Sequence, residues 1–443
     1  MSRRSSRAAA LAGALAVVGT VAESCTRADA EPVRVGAVYP LEGSQGPGGV
    51  EEYRGVRLAA EFVNDDGGID GRPIELRPVE VASSDAAASA IAMLHDDGYR
   101  FVVGSYGSTI SIPAAEAAAA RGMLYWETGA VAELELHEDE HHDIDEGTMS
   151  SSPGDPAVAS PNDLVFHVPP TGAVLGRAAI EFMVDQYAAR LHQSAEDLRY
   201  AVTYVDDAYG RSVGRGAIDT ILERDLDLVG RFPYPARGAD MPALVRRIDR
   251  ARPDILFVSA YVEDGVAMRR ELVRAHVPLV AGIGTSSSYC MPEFGARLGR
   301  DAVDLFASDK PDAGALNPEG LLPGARSLLD RASATYEDRY GEGMSAAALA
   351  GFSAAWGLFH DVMPDAARLT PGGVAAAARA ADIPPGGLPN GSGLRFAPPG
   401  SPDAGSNLAA ASVIWEWVDV GERAVVWPPQ YATQPPQWIP LAS

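Results

Sequence analysis

Apolar residues along the chain alternate between short runs of strand length and longer stretches with helical spacing. Val33 to Tyr39 reads as a strand opening into Leu41 to Gly49, a loop too rich in glycine for regular structure. Val56, Ala59, Ala60 and Val63 then form one apolar helix face, which stops at Asn64-Asp65-Asp66-Gly67-Gly68. Ile74 to Val79 alternates as a strand, and Ser84-Asp85 starts a helix whose Ala87, Ala90, Ile91 and Leu94 repeat the helical spacing. The strand Phe101 to Val103 ends at Gly104. Ser105, Gly107, Ser108 and Thr109 tighten the chain before Pro113, near the start of an Ala-rich helix that ends at Gly122. Met123 to Trp126 is the next strand, followed by the loop Glu127 to Ala130. This alternation predicts a parallel sheet wrapped by helices, and two adjacent strand ends bearing small polar loops form a ligand crevice.

From Leu134 to Asn162 the pattern breaks into an acidic, His-rich surface insertion with almost nothing apolar to bury. Its imidazoles and carboxylates lack a fixed ligand spacing, so no metal site is assigned. Leu164 to Val168 is a short strand leading into Pro169-Pro170-Thr171-Gly172, read as the first crossing between lobes. A second alternating set follows: strands at Tyr200 to Val205, Leu226 to Phe232, Ile255 to Ser259 and Leu279 to Ala281, the last opening into the loop Gly282 to Ser288. Beyond Asp304 the pattern is helical, at Gly324 to Tyr340, Ala346 to Met363 and Pro371 to Ala381, before a strand pair at Ser412 to Val418 and Ala424 to Trp427. The predicted fold class is α/β, two doubly wound parallel-sheet lobes joined by hinge strands. Residues 31–165 plus about 283–390 are expected in the first lobe, 166–282 plus about 391–430 in the second, and 431–443 in a tail.

A chain of 443 residues with 47% hydrophobic content buries a large core, and its length favours two domains. With 60 carboxylates against 36 basic residues, repulsion from phosphate disfavours a nucleic-acid partner. Lys310 is the single lysine, which reads as an Arg-for-Lys composition bias rather than chemistry. Arg3, Arg4 and Arg7 precede an apolar run from Ala8 to Ala22, too short for a comfortable span, so residues 1–30 read as an export signal. Two cuts compete: Ala28-Asp29-Ala30 is an ordinary cleavage pattern, whereas Val21 to Cys25 resembles a lipoprotein box that ends the signal at residue 24 and leaves Cys25 lipidated. Contact with the membrane is expected only through that anchor. Cys25 and Cys290 are the only cysteines, so no disulfide framework is expected and Cys290 reads as a lone buried thiol.

Three stretches together resemble the type I periplasmic binding proteins, specifically the branched-chain amino-acid receptor family of ABC importers. They are Val33 to Leu76 with its Asn64-to-Gly71 turn, the stretch carrying Gly104, Ser108, Thr109, Pro113 and Gly122, and Tyr204 to Gly210. The resemblance implies a clamshell that closes on a small solute and docks, as a monomer, on a permease driven by an ATPase, with no cofactor. It implies Ser108 and the backbone at Thr109 as a carboxylate clasp, Gly129 and the main chain of Val131 as neighbouring partners, and Tyr209 and Tyr261 as aromatic walls. Thr285 and Ser286 lie in the loop where amino-acid receptors of this family place the acid that binds the ligand's ammonium. That loop has no acid before Glu293, and Gly48 replaces an aromatic residue. Amides, urea and carboxylates therefore compete with amino acids as ligands, unless Glu127, Asp206 or Asp264 supplies the charge.

Gly210-Arg211-Ser212-Val213-Gly214 matches the G-x-S-x-G pattern of a hydrolase elbow, but Ser212 falls seven residues beyond Val205 instead of at a strand-to-helix turn. The Gly-rich loops match no nucleotide fingerprint. The sequence thus predicts a non-catalytic, exported solute-binding protein, periplasmic or at the cell surface. A sensing receptor of the same fold and an exported serine hydrolase are the alternatives.

Overall fold

The computed structural model describes residues 31–133, 160–437 and 441. The export signal, Cys25 and most of the acidic insertion lie outside them. The first lobe opens with β1 (Val33–Tyr39), α1 (Gly46–Asp65), β2 (Ile74–Glu80), α2 (Ser84–Asp96), β3 (Phe101–Val103), α3 (Ser108–Ala119), β4 (Leu124–Glu127) and β5 (Val165–His167). Its five strands are all parallel, in the order β2-β1-β3-β4-β5. The spacing residues of α1 and α2 are buried against this sheet, as the helical period requires.

The chain then crosses into α4 (Gly172–Phe182), which runs through a π-helical turn at Met183–Tyr187 into α5 (Ala188–Arg190). The second lobe continues with β6 (Arg199–Val205), α6 (Ala208–Glu223), β7 (Asp227–Tyr234), α7 (Met241–Ala251), β8 (Ile255–Ser259), α8 (Val262–Arg274), β9 (Ala281–Thr285), α9 (Pro292–Leu298) and β10 (Leu305–Asp309). A return to the first lobe supplies α10 (Pro323–Tyr340), α11 (Ala346–Trp356), which is prolonged by a π-helical turn, and α12 (Pro371–Ala380). The final crossing adds β11 (Val413–Asp419) and β12 (Glu422–Trp427) to the second sheet, whose order is β12-β11-β10-β9-β8-β6-β7. Only the β10–β11 and β11–β12 pairs are antiparallel.

Among the described residues three segments connect the lobes, and hydrogen bonds tie two of them together. Asn407 Nδ2 donates to Val168 O at 3.1 Å, and His167 N donates to Gly405 O at 2.8 Å, joining the first and third crossings. The second crossing begins at Lys310.

The structure differs from the sequence expectation in three places. The stretch around Gly282 is the strand β9, not a loop: a Cβ on Gly284 would lie 2.3 Å from the Tyr289 ring, so its glycines give way to neighbours in a fully buried strand. β10 was expected neither as a strand nor in the second lobe; both β9 and β10 pair into the second sheet, so the return to the first lobe follows Asp309 and not residue 283. Finally, α1 begins inside the glycine-rich run, at Gly46, because Pro47 suits a first helical turn and Gly49 lies against Pro40 O, with room for no side chain.

α1 packs on α11 at Gly55, where a Cβ would lie 2.0 Å from Ala348 O. Helix propensity alone gives Gly55→Ala a gain of up to about 1 kcal/mol, but backbone overpacking costs about 1–3 kcal/mol. The expected outcome is a lower urea midpoint for Gly55→Ala; a raised midpoint would show that the two helices are not held at this distance.

Candidate functional site

The loops at the C-terminal strand ends of both sheets face each other across a cavity of about 100 Å3. In the first sheet the order reverses between β1 and β3, in the second between β6 and β8, and the cavity lies at these switch points. From the first lobe come Gln45, Gly48, Tyr106, Ser108, Gly129 and Val131; from the second come Tyr209, Tyr261, Ser286, Ser287, Cys290 and Asp309. Glu51, Lys310, Ser345 and Arg423 complete its charged and polar lining.

Of the residues expected from sequence, Ser108, Gly129, Val131, Tyr209, Tyr261 and Ser286 line this cavity, whereas Thr109 and Thr285 do not. Those two stand behind lining residues. Thr109 Oγ1 accepts from Gln45 Nε2 at 3.2 Å. Thr285 Oγ1 lies 2.7 Å from the Tyr209 hydroxyl, which also accepts from Ser287 N at 3.3 Å. Tyr261 donates to Asp207 Oδ2 at 2.9 Å, and its ring tilts 38° against Tyr209 with centroids 5.4 Å apart. Together the rings form an apolar wall whose polar tips are pinned. Ser108 opens α3, so the free N–H groups and positive dipole end of that helix meet the cavity. Its Oγ accepts from Ala132 N at 3.1 Å, which leaves the hydroxyl proton for another acceptor.

Two buried carboxyl groups stand behind the first-lobe wall. Glu127 Oε1 accepts from Ser105 N at 3.1 Å and from Ala130 N at 3.2 Å, while Oε2 accepts from the Ser111 hydroxyl. One side chain therefore holds the loop after β3 to the loop after β4. Glu52 Oε1 accepts from Thr128 Oγ1 at 2.6 Å, and the Tyr39 hydroxyl lies 2.6 Å from the same Oγ1. A Cβ on Gly129 would lie 1.6 Å from Glu52 Oε2, so only glycine lets this loop close over the carboxyl. Gly104 sits at φ +133°, a conformation that glycine tolerates, with Val38 O against it.

Lys310 is the residue that the composition argument passed over. The chain's single lysine is only 5% exposed and reaches across the lobes to donate to Gly129 O at 2.7 Å. Cys290 is indeed buried, but it lines the cleft: its thiol lies 2.8 Å from Ser286 O and 2.7 Å from Asp309 Oδ2. Burial and the neighbouring Asp309 charge push that thiol well up, so it remains a protonated donor and not a thiolate nucleophile.

The three acids considered from sequence do not line the cavity. Glu127 spends its oxygens on the loops, Asp206 pairs with Arg211 at 2.9 Å on the surface, and Asp264 lies outside the lining. Glu51 and Asp309 line it instead. The missing aromatic group at Gly48 also has a substitute: a Cβ there would lie 2.3 Å from the Tyr106 ring, which occupies the space. Tyr106 went unread although it lies in the Gly104-to-Thr109 stretch, and Asp309 because the strand β10 that it ends was not expected. Ser212 sits in the buried contact of α6 with α4, its Oγ against Gly172, as the fifth residue of a helix that starts at Ala208. That is a packing position, not a nucleophile elbow.

Burial raises the Glu127 carboxyl to about 8, with Ser111 opposing and the charge of Glu52 adding to the rise. Burial likewise raises Glu52 to about 7, opposed by Lys310 and Thr128. Since the folded pKa values exceed the unfolded ones, their stabilisation is complete below about pH 4 and is lost as pH rises through 7 to 8. Glu127→Gln retains the shape and removes the titration. Its melting temperature is expected to fall less than that of the wild type between pH 5 and about 8.5; parallel profiles would contradict the assignment.

A family model described as periplasmic binding protein matches residues 32–409. Leu/Ile/Val-binding protein homolog 8 of Brucella abortus (strain 2308) is 26% identical over 279 residues, 62% of this chain and 64% of that protein, less than two thirds of the relative's length. The structure of leucine binding protein LivK from Thermotoga maritima MSB8 superposes with a TM-score of 0.68 at 16% identity, covering 89% of this chain and 97% of that one. A fatty acid ABC transporter substrate-binding protein from Thermomonospora curvata gives a TM-score of 0.67 at 16% identity, covering 90% and 92%. At such identities the likeness is one of fold. The family is one of solute-binding proteins and not of enzymes, it is extracytoplasmic, and among the described residues no helix is long and apolar enough to cross a membrane. Because the family model matches residues 32–409, most of its length, this chain belongs to the type I periplasmic binding protein family.

Proposed function

We propose that this chain is the exported solute-binding component of an ABC importer, taking an amino acid or a related small amide or carboxylate between its lobes. The observation that carries this reading is the small cavity built from strand-end loops of both sheets. A solute that touches both lobes at once favours the closed form over any open one, and a permease with its ATPase reads that difference. Relatives of the same fold include a leucine-binding and a fatty-acid protein, so the fold by itself does not select the ligand.

The lining supports a division of roles. Ser108 and the start of α3 receive a carboxylate or carbonyl oxygen, as hydroxyl and N–H donors at a helix N-terminus favour an anion. Val131 contributes main chain, Gly129 closes the floor, and Tyr209, Tyr261 and Ser286 face them from the second lobe. Thr109 and Thr285 act through Gln45 and Tyr209. Cys25 is the lipid-attachment site under the lipoprotein reading of the export signal.

A thermal-shift screen of the mature protein against amino acids, amides, urea and small aromatic and aliphatic acids tests this, because a ligand selective for the folded state raises the melting temperature. The expected result is a selective rise with one chemical class. Ser108→Ala and Tyr261→Ala each weaken binding by about tenfold, while Ser212→Ala leaves it unchanged. A rise that survives both lining substitutions would move the ligand out of this cleft, and no rise with any compound would contradict the reading.

A further inference from the structure

The second-lobe loop that faces the first lobe offers hydroxyls and no carboxylate, yet the cavity does hold a buried acid. Asp309 is the last residue of β10, only 2% exposed, and lines the cavity beside the Ser286–Cys290 turn. Its two oxygens are not equivalent: Oδ2 has the Cys290 thiol at 2.7 Å, whereas Oδ1 is buried and has no hydrogen-bond partner among the described residues. A buried carboxylate oxygen without a donor is costly, and folded proteins seldom retain one without a use for it. The other lining acid, Glu51, is only half-buried, and its Oε2 already accepts from the Ser345 hydroxyl.

The surroundings keep Asp309 available as an acceptor. Burial raises its carboxyl above the ordinary range, and the charge of Lys310, the Cys290 thiol, the backbone N–H of Lys310 and the charge of Arg423 oppose that rise only in part. Lys310 and Arg423 are themselves committed: Lys310 Nζ donates to Gly129 O at 2.7 Å, and Arg423 Nη2 to Asp312 Oδ2 at 2.7 Å. Neither forms an ion pair with Asp309 within 4 Å among the described residues. The carboxyl group therefore has cations nearby but no ion-pair partner, and one oxygen is open among the described residues.

We propose that Asp309 Oδ1 is the acceptor for an N–H-bearing group of the bound solute, an ammonium or a primary amide, supplied from the end of β10 instead of from the Ser-rich loop. This rests on the reading of the cleft as the solute site and adds the ligand class: one end with an oxygen acceptor for Ser108 and the start of α3, the other with N–H donors for Asp309. A plain carboxylate fits only the first half.

Matched pairs test the proposal by titration calorimetry at fixed pH: L-leucine against 4-methylpentanoate, benzamide against benzoate, and acetamide against acetate. For a binding pair, the N–H-bearing member is expected to bind wild type more tightly, and Asp309→Asn to lose about 10- to 100-fold for that member while the two become nearly equal. Asp309→Asn keeps the shape, and its melting temperature without solute is expected to match or exceed that of the wild type; Asp309→Ser serves as a second variant. If wild type binds the carboxylate member of a pair as tightly as its partner, or Asp309→Asn holds the partner within about threefold, the proposal is overturned while the solute-binding reading stands. If no compound of any pair binds wild type, both fall.

Discussion

The buried carboxyl group of Glu127 is the contact on which the first-lobe wall depends. Its position at the end of β4 lets it take the backbone N–H groups of Ser105 and Ala130 together, so two loops that follow different strands share one anchor. Without it, the start of α3 and the Gly129 turn would each have to satisfy buried backbone donors separately. Glu52, one helix away, repeats the device through Thr128 and Tyr39. The cavity surface is thus backed by hydrogen-bonded buried polar groups, not by apolar packing alone.

Lys310 carries that order across the molecule. It follows Asp309 in the chain and donates to Gly129 O, so a residue leaving the second sheet holds the turn that Glu52 supports in the first. A lysine suits this task because its compact ammonium reaches a single carbonyl and retains protons for other acceptors. The aromatic wall is pinned in a comparable way, Tyr209 by Thr285 and Tyr261 by Asp207. The cleft is therefore shaped by Lys310 in its lining and by Glu127, Glu52, Thr285 and Asp207 behind it.

Much of this architecture was legible in the sequence where local pattern and tertiary role agree. β1, β3 and α2 carry short apolar runs or a clear helical face, and the Gly104-to-Thr109 loop marks its own strand end. Legibility failed where packing overrode local preference. Gly282 and Gly284 suggest a loop, but neighbouring Leu305 and Tyr289 side chains fill their missing Cβ positions and make β9 a strand. The glycines at the start of α1 serve close contact, not flexibility. In the site, Ser108, Tyr209 and Tyr261 stand just beyond recognisable strand ends, and Tyr106 lies in the same stretch as Ser108, whereas Asp309 and Lys310 reach the cavity only through the pairing of β10 and the crossing that follows it, which no local window contains.

The central claim is that one solute engages both lobes at once. Hydrogen exchange by mass spectrometry, with and without a solute that raises the melting temperature, tests it most directly. The account predicts simultaneous protection of peptides covering 104–110 and 127–132 in the first lobe and 206–211, 259–263 and 285–291 in the second. Protection confined to one lobe, or placed elsewhere in the molecule, would contradict it.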